Sequence, residues 1–411
     1  EGFFFMSPRL ATSTLILVAS QAIYNGGMAV EVILMRRWFG DCEMINYFYV
    51  LSLVSLFEVG VHWGSQYMVN REAVARFADL NTRLPGLFAA SLLTILFVFL
   101  LVAGLEGPVL AVIGCSALVR AASTLLGAIC IGRGHIAPPA TARVLSSLAG
   151  LGGLLVFVRP EPTLARLAVV IGVATFAYVA PLVIASHRLG VHLMTRPALW
   201  PAIWRQLADR LWPYLLLFFC GQLLYRVDPS LLKWMNAEVM VADYVMAFKW
   251  IEGLFFLPYV VASAAIPPLV KAARDLGPTA ANQTLIRVAV SLTAGTFAVS
   301  VGLLYVGEPL LLWLIGPKFE PSVPLFRMFA WLLPVHSLGV FFSAALVAHG
   351  CERRLLIVTG VAAALGLAVK VPGFVIGGID VFSVGVYASL MFHALGCGVL
   401  LWRRPPDPHP A

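Results

Sequence analysis

Nine charged side chains interrupt the long apolar stretches of this 411-residue sequence, and they are its best candidates for chemistry. Each costs about 2.5–3.5 kcal/mol at the centre of a membrane helix on insertion scales, so such groups usually face a partner or a water-filled cavity. Five are basic and four acidic, which predicts a polar interior without fixing the sign of its charge. They are Glu31, Glu58, Arg120, Arg226, Asp228, Lys233, Lys249, Glu252 and Lys370.

The most informative of these positions are Arg226 and Asp228, which precede Pro229 in an apolar stretch. Residues two apart point to different sides of a helix, so the two charges cannot pair well with each other. Proline removes a backbone donor and loosens the preceding turn. The pattern predicts a helix break that lines a cavity, and a structural salt bridge between helices is the alternative.

Two local pairs could share charge or protons. Glu58 and His62 are four residues apart on one predicted helix face, where a carboxylate and an imidazole can exchange protons or simply hydrogen-bond. Lys249 and Glu252 are three apart and could neutralise each other locally.

The remaining charges have simpler alternatives. Arg120 lies in the middle of its stretch, where a long side chain hardly reaches the interface, and Lys370 occupies a similar apolar stretch. Lys233 lies near the end of its stretch and could anchor at the interface, while Glu31 could pair with Arg36. His336 and His393, alone on apolar faces, are expected to be core residues.

The elements that must position these residues are membrane helices. Apolar residues form 60% of the chain and charged residues 12%, with a mean hydropathy of +0.91. The apolar runs approach the roughly 20 residues that cross a bilayer and lack the short alternating pattern of a barrel. We predict an all-α integral membrane protein with about twelve spans, at 10–35, 46–69, 85–105, 108–131, 140–158, 166–186, 211–235, 241–270, 284–306, 321–349, 355–376 and 380–402.

Basic residues fix the expected orientation. Most Lys and Arg fall in alternate loops, which places both termini in the cytoplasm of a bacterial inner membrane. The net charge of +8 lies at helix ends rather than in one patch, so no nucleic acid is expected. We find no signal peptide with a cleavage site, and Met6 is a candidate start.

The predicted organisation is two six-helix lobes, 1–186 and 211–411, joined by an amphipathic cytoplasmic linker at 187–210. Weak internal similarity indicates a parallel repeat. Glycines at 150–153 predict close helix packing. The linker is basic and aromatic, with Arg188, Arg196, Arg205, Arg210, Trp200 and Trp204.

Motifs of soluble catalysis are missing from the sequence. It has no phosphate-binding loop, zinc-protease motif or nucleophile elbow, so we expect no enzyme, no cofactor and no metal site.

Four stretches together resemble the Wzx-type O-antigen and polysaccharide flippases of the multidrug/oligosaccharidyl-lipid/polysaccharide superfamily. Their order and spacing carry the likeness over nearly the whole chain. They are residues 34–40 with 58–60, Arg226-Val227-Asp228, residues 244–267, and residues 314–319 with 348–350.

The resemblance implies two lobes around a central, partly cationic cavity that opens alternately to each side. Its substrate would be a polyprenyl-pyrophosphate oligosaccharide, with membrane lipids and a polysaccharide polymerase and ligase as partners. The residues implied in substrate binding are Arg226, Lys249, Arg120 and Lys370. Those assigned to coupling or gating are Asp228, Glu58, His62 and Glu252.

Three alternatives stay open at this point. A multidrug exporter of the same superfamily would favour acidic groups in its cavity, and here neither sign dominates. A major-facilitator transporter would carry a Gly-x-x-x-Asp-Arg-x-Gly-Arg-like loop after its second helix. Residues 70–76, at that place in this chain, do not match the motif. A glycan polymerase or ligase would need a large outer loop, which the predicted spans do not provide.

Overall fold

The computed structural model describes residues 8–62, 77–191, 200–258, 261, 278–348 and 351–402. Within these ranges all regular elements are helical, which confirms the predicted all-α membrane fold. The chain forms two compact units. Unit 1 comprises Glu1–Phe219 with Arg226–Lys233, and unit 2 comprises Cys220–Tyr225 with Trp234–Ala411.

The helices of unit 1 follow the apolar runs of the sequence. The helix α7 begins in this unit and ends in unit 2. The bounds are α1 (Pro8–Trp38), α2 (Asp41–His62), α3 (Phe77–Glu106), α4 (Pro108–Gly132), α5 (Ala137–Gly153, extended by a π-helical turn Leu154–Val158), α6 (Leu164–Arg188), α7 (Trp200–Tyr225) and the short α8 (Asp228–Trp234).

Close packing in unit 1 depends on two glycines, Gly150 and Gly153. A Cβ atom on Gly150 would lie 2.0 Å from Oε1 of Glu31, and one on Gly153 would lie 2.7 Å from Val170. These positions let α5 approach α1 and α6, as the sequence predicted. Leucines of α4 and Tyr178 of α6 form a buried cluster beside this contact.

Unit 2 contains the remaining helices. Tyr244, Phe248 and Phe329 form the centre of an aromatic cluster between α9 and α12. The bounds are α9 (Glu238–Leu254), α10 (Pro278–Gly302, extended by a π-helical turn Leu303–Gly307), α11 (Glu308–Ile315), a 3₁₀ turn (Pro317–Ser322), α12 (Val323–Ala330), α13 (Leu332–Ala348) and α14 (Glu352–Trp402).

The long α14 is a helical hairpin. Gly377 and Gly378 leave helical geometry, and Gly378 has φ 66° and ψ −150°, a combination that suits glycine. A Cβ atom on Gly366 would meet Ser389 at 2.9 Å, and one on Gly373 would meet Val381 at 2.9 Å. The contacting residues are closer in sequence the nearer they lie to the turn, so the two arms of the helix run antiparallel. They correspond to the predicted spans 355–376 and 380–402.

Seven helices in the described ranges are long and apolar enough to cross a bilayer, and two bent pairs raise the number to nine. One of the seven is the α14 hairpin, which supplies two arms. Helices occupy the described parts of all twelve predicted spans. The chain is therefore a multi-pass membrane protein. The cytoplasmic location of both termini and the boundaries 1–186, 187–210 and 211–411 stay predictions, and residues 192–199 of the linker lie outside the described ranges.

Candidate functional site

The predicted helix break lies at Arg226 and Val227. The helices on either side, Leu215–Tyr225 and Asp228–Trp234, meet at 60°. Pro229 occupies the first turn of α8, where its missing N–H group would have no intrahelical acceptor anyway. The sequence prediction of a disturbed helix at Pro229 is confirmed.

Arg226 is the exposed member of this break. Its side chain is 45% exposed, and Nη1 lies 3.5 Å from Oε1 of Glu58 on α2, whose side chain is 14% exposed. This contact is long for an Arg–carboxylate pair. Asp228 is instead buried, at 1% exposure, in the first turn of α8. A carboxylate there is favoured by the partial positive charge of the helix start.

Ser52 of α2 stabilises the broken backbone. Its hydroxyl donates a hydrogen bond to the carbonyl oxygen of Arg226, and the hydroxyl of Ser230 donates to Ser52 Oγ over 2.9 Å. A carbonyl freed by a helix break inside a membrane needs such a partner. The sequence analysis did not identify Ser52, because 174 residues separate it from Arg226.

Lys233 fixes the other end of α8. Its Nζ lies 3.0 Å from Oε1 of Glu106, 3.3 Å from Oδ1 of Asn46 and 3.9 Å from the centroid of the Tyr49 ring. The carboxylate, amide and aromatic face surround the ammonium group. Lys233 is therefore a structural anchor within unit 1.

His62, the predicted partner of Glu58, ends the helix α2. It lies four positions after Glu58 on that helix, and its side chain lies outside the described residues. The proton-exchange assignment of the Glu58 and His62 pair stays a prediction.

A second polar cluster in unit 1 surrounds Arg120. The guanidinium hydrogen-bonds to Tyr24 and interacts electrostatically with Tyr47 and Glu31. The expected pairing of Glu31 with Arg36 is wrong, because Arg36 forms its ion pair with Asp41, the first residue of α2. Since Glu31 packs against Gly150, its carboxylate lies inside the bundle rather than at its rim.

The two titratable residues at the end of α9 pair with each other in unit 2. Lys249 and Glu252 form an ion pair within the helix, with side chains 31% and 18% exposed. This is the local neutralisation that their spacing predicted.

Lys370 is enclosed by the α14 hairpin. It is 1% exposed, a Cβ atom on Gly385 would lie 2.7 Å from its Cγ, and its Nζ lies 6.0 Å from the Phe382 ring centroid. His393 lies in the same hairpin, where Nε2 is 3.2 Å from Oγ1 of Thr359. The sequence analysis expected His393 in the core, and it is buried there.

The structure thus brings some of the predicted residues together. In unit 1, Glu58 and Arg226 meet at the helix break, Asp228 begins the helix that follows it, and Arg120 belongs to the separate tyrosine cluster. In unit 2, Lys249 and Glu252 pair at the end of α9.

No family model and no curated protein matches the sequence. Solved structures do match. The lipid II flippase MurJ in an inward closed conformation has a TM-score of 0.71 at 13% identity, covering 96% of this chain and 88% of that chain. A mutant of the Vibrio cholerae MATE transporter VcmN has a TM-score of 0.68 at 12% identity, covering 96% and 97%.

An inward-facing multidrug resistance MATE family transporter of the MOP superfamily also matches, with a TM-score of 0.64 at 14% identity over 96% of each chain. All three cover almost the whole of this sequence at low identity. The chain therefore has the fold of the MurJ and MATE transporters of the MOP superfamily.

Proposed function

We propose that this protein is a flippase for a polyprenyl-pyrophosphate-linked oligosaccharide. It moves the substrate from the cytoplasmic to the periplasmic leaflet by alternating access, as the Wzx-type resemblance implies. The substrate combines a long apolar chain, a doubly charged phosphate group and a polar glycan, so its carrier needs a cationic contact within the membrane.

The exposed guanidinium of Arg226 carries the proposal. It lies in a broken membrane helix and keeps 45% of its side chain exposed, and its guanidinium lies 3.5 Å from the Glu58 carboxylate. An arginine in a span avoids hydrocarbon and faces protein or a water-filled cavity. Its planar fork of donors suits phosphate oxygens, which accept from it in a bidentate manner.

The other three basic residues assigned to the substrate differ in how far their side chains are exposed. Lys249 keeps a 31% exposed side chain, whereas Lys370 is enclosed and Arg120 is held by Tyr24. We therefore assign the first contact with the phosphate groups to Arg226, the most exposed of the four. Lys249, Arg120 and Lys370 stay proposed substrate-binding residues.

Two further considerations support a flippase. The fold is shared with MurJ, a lipid II flippase. Moving two negative charges outward also gains about 4–5 kcal/mol per 100 mV of membrane potential, so this direction of transport does not require coupling to protons. Membrane lipids, a polymerase and a ligase stay part of the proposal as partners.

A multidrug exporter of the same superfamily is the second candidate. Acidic groups favour it: Glu31, Glu58 and Asp228 all lie in unit 1. A cationic drug would bind those carboxylates and be repelled by Arg226. The two candidates therefore predict opposite effects of reversing the charge at Arg226.

Leaflet exposure of lipid-linked glycan tests the proposal. Cells lacking the protein should accumulate the glycan on the cytoplasmic face, and the wild-type protein should restore export. Arg226→Glu should abolish that restoration, and Arg226→Lys should retain a fraction of it. Arg159→Glu, a charge reversal at an exposed position beyond α5, is the matched control.

Wild-type export by Arg226→Glu, at equal membrane levels, would contradict the flippase assignment. Unchanged glycan distribution with and without the protein would do the same. Drug efflux that increases in Arg226→Glu would support the exporter instead.

A further inference from the structure

Three polar side chains of unit 2 meet where α13 and the two arms of the α14 hairpin come together. Nε2 of His393, on the second arm, lies 3.2 Å from Oγ1 of Thr359 on the first arm and 3.4 Å from Oγ of Ser343 on α13. His393 is 6% exposed and Thr359 3% exposed. One imidazole thus joins three helical segments, and we call these three residues the histidine clamp.

The hydroxyl hydrogens of the clamp are used within their own helices. Thr359 donates to the carbonyl oxygen of Leu355 over 2.9 Å, and Ser343 donates to that of Gly339 over 2.7 Å. A hydroxyl has one hydrogen and two lone pairs, so towards the imidazole both oxygens can only accept. Nε2 of the neutral ring therefore carries the hydrogen and donates it to these oxygens, and Nδ1 carries none.

The other side of the ring leads to the same assignment. Nδ1 of His393 faces Gly339, where a Cβ atom would lie 3.1 Å from it, and this nitrogen has no hydrogen-bond partner among the described residues. Buried N–H groups without an acceptor are rarer in proteins than buried acceptors without a donor. A hydrogen on Nε2 satisfies the ring better than one on Nδ1.

The hydrogen bonds of the clamp are weaker between helices than within them. Those between helices are 3.2 and 3.4 Å long, beyond the usual N–H···O distance of about 2.9–3.0 Å, whereas the hydroxyl bonds to carbonyl oxygens are 2.7 and 2.9 Å. If the helices separate, both hydroxyls keep the partners in their own helices. Only the Nε2–H group of His393 loses its acceptors, so the clamp can open at a small cost.

The two arms that the clamp joins enclose Lys370. A Cβ atom on Gly385 of the second arm would lie 2.7 Å from Cγ of Lys370, which is 1% exposed. Between Lys370 and the clamp, a Cβ atom on Gly366 would lie 2.9 Å from Ser389. The close contact of the arms thus continues from the clamp to Lys370, whose side chain has almost no surface to offer a ligand while the arms touch.

We propose that the histidine clamp is a latch on the α14 hairpin, and that Lys370 becomes accessible to the pyrophosphate-bearing substrate when the clamp opens. His393 acts as a positioning residue with its hydrogen fixed on Nε2, and opening breaks hydrogen bonds without any change of protonation. The role of Lys370 in substrate binding rests on the flippase function proposed above.

The first test locates the hydrogen on the ring. Protein labelled with ¹⁵N-histidine is studied by NMR in lipid nanodiscs, and His393→Gln identifies the signal. The ¹⁵N chemical shifts should show a neutral ring with its hydrogen on Nε2. Thr359→Val combined with Ser343→Ala removes both acceptors and should convert part of the protein to the other tautomer. A hydrogen on Nδ1 in the wild-type protein would overturn the clamp.

The second test measures access to Lys370 without substrate. A membrane-permeant amine-reactive reagent is added to protein in nanodiscs, and mass spectrometry gives the labelling rate of Lys370. His393→Leu removes the N–H donor and should raise that rate by about fivefold, as expected when the closed form loses one hydrogen bond. Thr359→Val should raise it by a smaller factor. His393→Gln keeps an N–H group at the end of its side chain and should retain part of the protection.

Ser337→Ala is the matched control, because its hydroxyl is also on α13 and donates to the carbonyl oxygen of Leu333 in its own helix. It should leave the labelling of Lys370 at the wild-type rate. If His393→Leu does not yield folded protein, Thr359→Val and Ser343→Ala test the same contacts through smaller changes. Labelling of Lys370 that no clamp variant raises, or that Ser337→Ala raises equally, would overturn the latch.

Two anions test the link to the substrate. Inorganic pyrophosphate and a polyprenyl pyrophosphate are added separately to His393→Leu, or to Thr359→Val if His393→Leu is not folded. Slower labelling of Lys370 with both assigns the phosphate group as its ligand, and slower labelling with the lipid alone assigns the intact lipid. No protection by either would overturn the contact of Lys370 with the substrate. Glycan export in the Arg226 variants decides the flippase function independently, so the failure of one proposal is distinguishable from the failure of the other.

Discussion

The hydroxyl of Ser52 donates its hydrogen bond to the carbonyl oxygen of Arg226, so one serine on α2 satisfies the backbone of a helix broken 174 residues later. The Ser52 hydroxyl oxygen in turn accepts a hydrogen bond from the hydroxyl of Ser230, in the helix that follows the break. Ser52 therefore links the break itself and the first turn of α8 to α2.

Replacing Ser52 should weaken this arrangement. Ser52→Ala removes the hydroxyl that joins the Arg226 carbonyl and Ser230, and we expect a loss of about 1–3 kcal/mol in unfolding free energy together with reduced export. Thermal unfolding in detergent and the glycan-export assay measure the two effects. Ser55→Ala is the control, since its hydroxyl donates to the carbonyl of Ser52 within the same helix. Equal losses in both variants would contradict the special role of Ser52.

The Lys233 and Glu106 pair should behave as one unit. Lys233→Gln and Glu106→Gln each leave a partly buried charge without its opposite, so each should destabilise the protein while the double variant loses less than the sum. A coupling of about 1–3 kcal/mol is expected for contacting charges. A double-mutant cycle on unfolding in detergent measures it. Additive effects would show that the 3.0 Å contact contributes nothing to stability.

Gly153 should not tolerate a methyl group. Gly153→Ala brings a Cβ atom 2.7 Å from a Cγ atom of Val170, a stiff β-branched side chain, and should cost about 1–3 kcal/mol by overpacking. Gly152→Ala on the same helix meets nothing within 4 Å and should be neutral or slightly stabilising. Melting temperatures of the two variants provide the comparison, and equal values would refute the close approach of α5 and α6.

The hairpin turn of α14 should require glycine at one position. Gly378 has φ 66° and ψ −150°, which costs a residue with a side chain about 1–3 kcal/mol. Gly378→Ala should therefore lower the unfolding midpoint, whereas Gly295→Ala, in open space on α10, should not. Proteolysis of the turn in membranes offers a second measurement, with faster cleavage expected for Gly378→Ala.

Local sequence features predicted much of the fold. Apolar length placed the spans, Pro229 located the break in the seventh span, and the spacing of Lys249 and Glu252 predicted their ion pair. Each of these depends on residues within about one or two helical turns. Helical periodicity and the requirement that lipid-facing backbone bond internally are enough to derive them.

Distant partners could not be predicted in the same way. Tyr24 and Arg120 are hydrogen-bonded although they lie on different helices, and Ser52 meets the break only through packing. The enclosure of Lys370 follows from the hairpin turn, which the sequence marks only by two adjacent glycines. Such contacts are set by helix order and rotation, and a single sequence does not encode these in any local pattern.

The division of the seventh span between the units has a consequence for biogenesis. Unit 1 includes Arg226–Lys233, whereas the preceding residues 220–225 belong to unit 2. During synthesis, the ribosome must therefore begin unit 2 before unit 1 is complete. A nascent chain that stops at Phe219 would leave Ser52, Asn46 and Glu106 without the α8 groups that bond them. Until α8 is inserted, the first unit is incomplete, because three of its polar side chains lack the partners that they have in the folded protein.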